Sequence, residues 1–407
     1  MRFPLHVRPL GPARLLAAAP GGRAPRGPGP SGTEIIEIAG AAGIRGRGGA
    51  GFPLGAKLRS VADSAAPRRY AVANAEEGEP GSVKDRFLIR ERPGLVVEGL
   101  SLAARAVGAE RSYLYASDRI GADALEKAAS PFPSLEVVRV EPAYVAGEET
   151  AVIRAIGGGP ALPVVKPPRP WQEGLYGAPT LVSNAETLAQ LALAVRLGPR
   201  AYRDAGTGDS PGTFLATVSG GGRPPVLYEV PYGVPLRELA RAHLGDPAAV
   251  TGVLAGGLAG GLLPAARLGL SLTHAAFTAA GSTLGCGGFV LLTGECPVEV
   301  AAGAAAFFDR ANARQCGPCV RGTEAVAGLL AELMSGTAGP AGAARLERMA
   351  GGLAGRGNCA TPDAVSVLVG SLFRHHRSLV DAHTVRGCAR CAAARPFDIR
   401  IPLGESS

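Results

Sequence analysis

Glycines, carboxylates and thiols gather in four stretches of this chain, and each grouping suits a different piece of chemistry. Gly46-Arg47-Gly48-Gly49-Ala50-Gly51 is a glycine-rich run flanked by Arg45 and Lys57. Glycine lets backbone N–H groups approach a phosphate closely, and the nearby cations add attraction. The letters satisfy G-x-G-x-x-G, but a dinucleotide loop of that kind follows a strand, and the ten residues before this one read as a helix. A flexible surface loop is the plain alternative. Asn74-Ala-Glu76-Glu77-Gly-Glu79-Pro-Gly81 sets three carboxylates directly after an apolar strand pattern, and Tyr144-Val-Ala-Gly147-Glu148-Glu149 sets two more behind a glycine. Carboxylates at the carboxyl end of a strand stand where α/β sheets bind ligands, in reach of ribose or ribityl hydroxyls. Either stretch alone also reads as a solvated loop. The fourth grouping is of thiols: five of the seven cysteines lie in the last quarter, as Cys316-x-x-Cys319, Cys359 and Cys388-x-x-Cys391. CxxC spacing, an odd count and no sustained apolar segment of an export signal favour metal over disulfides.

Those groups need elements to hold them. Residues 1–32 are rich in Pro, Gly and Arg, read as a leader without fixed structure and lack signal-peptide character. Order is expected to begin at Ser31, where S-x-x-E forms a capping-box pattern before an apolar-periodic helix ending at Gly43. Tyr70–Ala73 reads as a buried strand and 95–108 as a helix, and strand and helix signals alternate to about residue 195, which predicts an α/β domain. From Gly212 two short strands, a turn and a helix predict a small α+β module. After Pro297 four amphipathic segments predict a small helical bundle. At 407 residues the chain exceeds one ordinary hydrophobic core. Its net charge is +8, but only four of 42 basic residues are lysines and aromatics make up 5%, without a basic stripe, which argues against nucleic-acid binding. No apolar run reaches the roughly 18–20 residues of a membrane span.

Together, GIRGRGGAGFPLGAKL, NAEEGEPGSVKDRFLI, PAYVAGEETAVI, GLYGAPTLVSNAETL and AGSTLGCGG occur in the order and spacing of the NADH-binding flavoprotein of bacterial respiratory complex I, its F subunit. The same modules occur in related NAD-linked hydrogenase and formate dehydrogenase flavoproteins. The chain is therefore identified as a divergent member of that family. The resemblance implies an α/β, Rossmann-like FMN/NADH-binding domain over 33–206, a ubiquitin-like β-grasp module of SLBB type over 207–297, a C-terminal four-helix bundle with an iron-sulfur site over 298–386, and a tail over 387–407. It implies FMN bound by Gly46, Arg47, Gly48, Gly49, Asn74, Glu76, Glu77, Tyr144, Gly147, Glu148, Glu149, Ser183 and Asn184. The nicotinamide nucleotide would stack near Phe52 and meet Lys57, Glu79 and Glu149, the residues implied for catalysis. The implied reaction carries electrons from NAD(P)H through FMN to a 4Fe-4S cluster and on to a thioredoxin-like iron-sulfur subunit or a ferredoxin. The implied setting is a cytoplasmic hetero-oligomeric complex, peripheral to a membrane. The SLBB module is expected to pack and orient, with no catalytic role.

Two departures from the family pattern stand out. Aligned on Gly322 and Thr323, Cys316, Cys319 and Cys359 take three cluster-ligand positions, while the first falls on Ala313. Three thiolates leave one iron of a cubane open. Cys388 or Cys391 is the expected replacement. The alternatives are a cluster with a labile iron, no metal at all, or a structural zinc between the two CxxC pairs. Cys286 and Cys296 are expected as buried thiols. At the nucleotide site Ser60 and Arg169 stand where relatives have aromatics, and Arg169 would favour a 2′-phosphate. A degenerate flavin-binding scaffold without turnover is the competing reading.

Overall fold

The protein is described by a computed structural model covering residues 4–17, 29–393, 397 and 401. The first elements are β1 (His6–Pro9), α1 (Gly32–Ala42) and α2 (Leu54–Ala62). At α1 the capping box forms as expected: Glu34 N donates to Ser31 Oγ at 3.3 Å, and Ser31 N donates to the Glu34 carboxylate at 2.7 Å. The helix stops at Gly43, whose φ of 70° is the left-handed conformation glycine adopts freely. Next come β2 (Tyr70–Asn74), α3 (Lys84–Glu91), α4 (Pro93–Val107), β3 (Arg111–Ala116), α5 (Arg119–Ala129), β4 (Leu135–Arg139), α6 (Glu149–Ile156), β5 (Thr180–Asn184), α7 (Ala185–Leu197) and α8 (Pro199–Tyr202).

The strands β4-β3-β2-β5 form one sheet in that order, all parallel. Both faces are covered, so β2 shows four consecutive buried residues without polar alternation. Ala71, Ala73, Leu114 and Leu181 face the core shared with α1, α2, α4 and α7, whereas Tyr70, Val72, Tyr113, Tyr115 and Val182 face a smaller core containing Val152 of α6. Helices α4 and α7 approach backbone to backbone at Gly99, where a Cβ would lie 2.0 Å from Leu188 O.

A second sheet follows, from β6 (Thr213–Gly220), β7 (Arg223–Pro231), β8 (Gly252–Ala255), β9 (Leu262–Pro264) and β10 (Gly288–Leu292), with α9 (Leu236–Leu244) and α10 (His274–Ala279). Its order is β1-β7-β6-β10-β8-β9, with β6 and β7 antiparallel and β10 parallel to β6. The expectation that residues 1–32 lack fixed structure is corrected for 4–17. There β1 pairs in parallel with β7, and the N–H groups of Arg14, Leu15 and Leu16 all donate to the fully buried Glu229 carboxylate at 2.9 Å. An open strand edge and a buried acceptor more than two hundred residues away order this segment, and local composition carries no sign of either. Residues 18–28 of that leader lie outside the described residues.

The chain closes with α11 (Pro297–Ala311), a π-helical turn over Pro318–Thr323, α12 (Glu324–Ser335), α13 (Gly339–Gly351), α14 (Thr361–His383) and α15 (Ala389–Ala393). Val298, Phe308, Leu330, Leu346, Leu368 and Leu372 share a core here with Leu254 and Leu262 of the second sheet. Among the described residues no helix is long and apolar enough to cross a membrane.

Candidate functional site

Chain order and sheet order diverge between β2 and β5. The chain adds β3 and β4 on one side of β2, then returns to place β5 on the other. Such a reversal opens a crevice beyond the carboxyl ends of the two strands. Asn74 and Asn184 are the last residues of β2 and β5 and stand directly opposite each other. The glycine loop lies over this point between α1 and α2, so no strand precedes it. Gly46 N donates to Phe52 O at 2.8 Å to close the loop, and a Cβ on Gly48 would touch Asn184 Cβ at 3.5 Å. Gly49, at φ 114°, has nothing within 4 Å of a built Cβ.

The two acidic loops meet at the same place. Gly78 permits it: a Cβ there would lie 2.7 Å from Tyr144 Cα and O. Asn74 stitches them further, donating from Nδ2 to Gly147 O at 2.8 Å and accepting from Glu76 N at 3.2 Å. Glu76 is buried, and its Oε2 has no hydrogen-bond partner. Burial pushes its carboxyl up to about 7 despite hydrogen bonds from Ser117 and Ala143. Burial likewise pushes Glu79 up to about 7, while its Oε1 accepts from Leu258 N of the second sheet's loop at 3.2 Å. Lys57 faces Glu149 at 3.6 Å, with about a quarter of each side chain exposed. Burial lowers the Lys57 ammonium, and Glu149 partly restores it. Phe52 is 52% exposed at the loop.

Several expected cofactor ligands are engaged by the protein itself. The Glu77 carboxylate accepts from Ser82 Oγ at 2.6 Å and from the N–H groups of Asp85 and Arg86 at 3.2 and 3.0 Å, so it caps α3. Glu148 caps α6, accepting from Thr150 N at 2.8 Å and Ala151 N at 3.1 Å, and pairs with Lys166 at 2.5 Å. Helix N-termini at the crevice floor need acceptors, and these two acids supply them. Arg47 is also turned inward. It is 1% exposed, donates from Nε to Glu186 at 3.2 Å, and lies over the Phe214 ring at 5.0 Å. Ser183 is buried on β5 beside the crevice.

Under the loop lies a network that local sequence patterns did not reveal. Lys84 Nζ meets Asp85 at 2.7 Å, Glu186 at 3.4 Å and Asn184 Oδ1 at 3.2 Å, all buried except Asn184. Asn184 Nδ2 donates to Asp85 Oδ2 at 2.7 Å, and burial raises Asp85 to about 6. Glu186 also accepts from Leu215 N of β6 at 2.9 Å, which joins the two sheets. Lys84 and Asp85 lie in the NAEEGEPGSVKDRFLI stretch and Glu186 in GLYGAPTLVSNAETL. Their adjacency depends on the return of β5 beside β2. Arg169 stacks over Trp171 at 5.3 Å, and Ser60 Oγ donates back to Ala56 O within α2 at 2.9 Å.

Tyr144 leads from the crevice to the thiols. Its ring meets Phe307 and Phe308 of α11 edge-on, both at 5.5 Å. Burial drives its phenol well above the ordinary value, and Glu79, Cys286 and Cys359 are close enough to add to that. Cys359 and Cys319 are buried, Cys316 is half-buried, and Cys319 contacts both of the others. Contact with Cys319 draws the Cys359 thiol down to about 6, helped by Thr361, and Cys319 rises in turn. Asn312 Nδ2 braces the π-helical turn by donating to Thr323 Oγ1 at 3.0 Å. Burial pushes Cys286 up to about 12 beside Glu79, on the rim of the crevice. Cys388 and Cys391, either of which was expected to complete this thiol group, have other neighbours. Both stand with Cys296 and His383 in a separate group whose ligand atoms all lie within 4.8 Å of one another.

A switch-point crevice joined through one tyrosine to three thiols, two buried and one half-buried, gives a mixed α/β chain whose site suits a flavin beside iron and sulfur. The Nuo51 FMN-binding domain family matches residues 39–193, and the NADH-ubiquinone oxidoreductase-F iron-sulfur binding region matches 299–383. The F 2 subunit of NADH-quinone oxidoreductase from Rhizobium meliloti is 34% identical over 372 residues, covering 86% of this chain and 88% of that protein. The F subunit of the same enzyme from Aquifex aeolicus is 35% identical over 330 residues, covering 75% of each. A solved NAD+-reducing [NiFe]-hydrogenase in the H2-reduced state matches with a TM-score of 0.79 and 34% identity, over 88% of this chain. The chain spans 64% of the hydrogenase chain it matches. The chain belongs to the family of NADH-quinone oxidoreductase F subunits.

Proposed function

We propose that this chain is an NADH dehydrogenase that binds FMN in the β2/β5 crevice and passes electrons to a 4Fe-4S cluster held by Cys316, Cys319 and Cys359. The observation that carries this reading is the contiguity of crevice and thiols: Tyr144 of one wall packs on Phe307 and Phe308 of α11, and it and Glu148 lie near enough to Cys359 to interact with it. The residues fit the flavin. Glu76 Oε2, buried and unpartnered, suits a ribityl hydroxyl, and the glycine loop offers backbone N–H groups without side chains in the way. Bound FMN supplies two-electron hydride acceptance and one-electron release, which matches a one-electron cluster.

The chain's own residues bind and orient. Phe52 offers a half-exposed ring for the nicotinamide nucleotide, and Lys57, held by Glu149, adds a cation for its phosphates or carbonyl. Glu79, protonated over part of the physiological range, places a hydrogen-bond donor or acceptor under the Leu258 loop. Gly257 lets that loop close down, because a Cβ there would meet the Glu79 carboxyl carbon at 2.6 Å. Three thiolates leave one iron without a cysteine among the described residues. We read β6–β10 with α9 as the SLBB-type module, α11–α14 as a four-helix bundle, and the boundaries near 207 and 298 as domain limits. The acceptor is an iron-sulfur protein or ferredoxin in a hetero-oligomeric assembly, cytoplasmic and peripheral to a membrane. Ala313 favours a second reading, a flavin-binding scaffold without turnover.

Anaerobic absorbance spectra separate the two. Addition of NADH is expected to bleach the flavin band, with NADPH tested next because of Arg169. A flavin that stays oxidised with both nucleotides sinks the enzyme reading.

A further inference from the structure

We propose that Cys296, His383, Cys388 and Cys391 bind one zinc ion at a structural site distinct from the iron-sulfur cluster. The four residues come from three separate places. Cys296 immediately precedes α11, His383 is the last residue of α14, and Cys388 and Cys391 flank and enter the short helix α15. Their ligand atoms all lie within 4.8 Å of one another.

The spacing matches a single tetrahedral ion. Zn–S of about 2.3 Å and Zn–N of about 2.0–2.1 Å place two sulfurs about 3.8 Å apart and sulfur about 3.6 Å from nitrogen. Cys388 Sγ lies 3.5 Å from Cys391 Sγ, and His383 Nε2 lies 3.6 Å from Cys296 Sγ and 3.5 Å from Cys391 Sγ. A cubane bonds each thiolate to a different iron, so its ligands stand farther apart than the donors of one ion. Among the described residues, Cys319 contacts Cys316 and Cys359 but the three do not all lie within 4.8 Å of one another, whereas these four ligand atoms do.

The surroundings prepare the ligands. His383 Nδ1 stands 2.8 Å from Leu379 O, which fixes that nitrogen as the donor and leaves the Nε2 lone pair facing the sulfurs. Burial pushes the Cys296 thiol up, and the backbone N–H groups of Glu299 and Val298, at the start of the fifteen-residue α11, reach its sulfur and offset part of that. Cys391 N donates to Cys388 Sγ at 3.4 Å. Three of the four ligands also fall outside residues 299–383, the span matched by the iron-sulfur region of the family.

Such an ion would tie the segment after α14 to the start of α11. A five-residue helix has too few internal hydrogen bonds to persist alone. The crosslink would also join the start of α11 to the end of α14, the ends of those helices opposite Cys316 and Cys359.

The test uses the full-length protein, purified anaerobically. Zinc and iron are counted by plasma mass spectrometry, and zinc coordination is read by X-ray absorption. One zinc per chain is expected, with three sulfur and one nitrogen ligand. Cys388→Ser with Cys391→Ser is expected to lower zinc at least tenfold, with iron content and the cluster EPR signal unchanged. Cobalt(II) alone, supplied to protein from zinc-depleted medium, is expected to give tetrahedral d–d bands with thiolate charge transfer even if the double variant folds poorly. Wild-type protein that takes up neither zinc nor cobalt overturns the proposal. So does a loss of iron in the double variant from a protein without zinc, which would return the tail thiols to the cluster. A mass deficit of two hydrogens at Cys388–Cys391 in the anaerobic protein overturns it as well.

Discussion

Glu186→Gln removes one charge and almost no volume from the floor of the crevice. Glu186 is fully buried and takes Arg47 Nε, Lys84 Nζ and Leu215 N. A glutamine oxygen still serves Leu215 N, and Lys84 keeps Asp85 and Asn184. Arg47 has no such fallback. Its two terminal nitrogens have no hydrogen-bond partner, so the guanidinium becomes a buried charge without a counter-ion. Losing one partner of a buried pair costs about 3–5 kcal/mol. At about 2–4 °C per kcal/mol for a unit of this size, the melting temperature is expected to fall by roughly 10 °C. Glu98→Gln is the control. Its pair with Arg196 is about a third exposed on both sides, so its loss costs under about 1 kcal/mol. Adding Arg47→Met to Glu186→Gln removes the orphaned cation and gives the Phe214 and Tyr232 rings a thioether to pack against, so part of the lost stability is expected to return. Calorimetry of these four proteins and of Arg47→Met alone decides. A Glu186→Gln melt within about 2 °C of wild type, or a double variant weaker than the summed singles, refutes the reasoning.

Two further outcomes follow from the crevice. The Glu76 carboxyl titrates near 7 in the folded chain, above its ordinary 4.5 because of burial, so the folded state keeps a proton that the unfolded chain has released. Its contribution to stability is therefore full below about pH 4.5 and falls by up to about 1.4 kcal/mol per pH unit until pH 7. Glu76→Gln is expected to flatten this fall, leaving the flavin-free variant more stable than wild type at pH 8; equal pH slopes by thermal melts count against the assignment. Phe52→Ala is expected to raise the KM for NADH about 2- to 10-fold, from a stacking contribution of about 0.5–1.5 kcal/mol, with an unchanged melting temperature because the ring is half exposed. An unchanged KM removes Phe52 from the nucleotide site.

What could be read from the sequence was local. The capping box at Ser31, the glycine loop without a preceding strand, the buried strand at Tyr70 and the helical last quarter all follow from patterns within a few residues, and they stand in the structure. The features that escaped join distant segments. β1 depends on the open edge of β7 and on Glu229, and Lys84 meets Glu186 because β5 returns beside β2. The same holds for the tail. From spacing alone Cys388 and Cys391 could serve any nearby thiols, but the end of α14 brings them His383, and the start of α11 brings Cys296.

The conspicuous motif residues divide into two sets with different physical roles. Asn74, Arg47, Glu77 and Glu148 are polar groups whose partners lie in the protein, and each fixes a loop or a helix N-terminus around the crevice. On the proposed reading, the glycine backbone, Glu76, Glu79, Phe52 and the Lys57–Glu149 pair are the groups that meet the ligand. The division has an electrostatic basis. Lys84 and Arg47 balance Asp85 and Glu186 in the floor, so the buried network is neutral when all four are ionised. The field in the crevice is then governed by the few groups that remain, two of which are carboxyls poised near neutrality by burial. A ligand whose charge or hydrogen bonding changes with redox state meets walls that can take up or release a proton in response, while the floor beneath stays fixed.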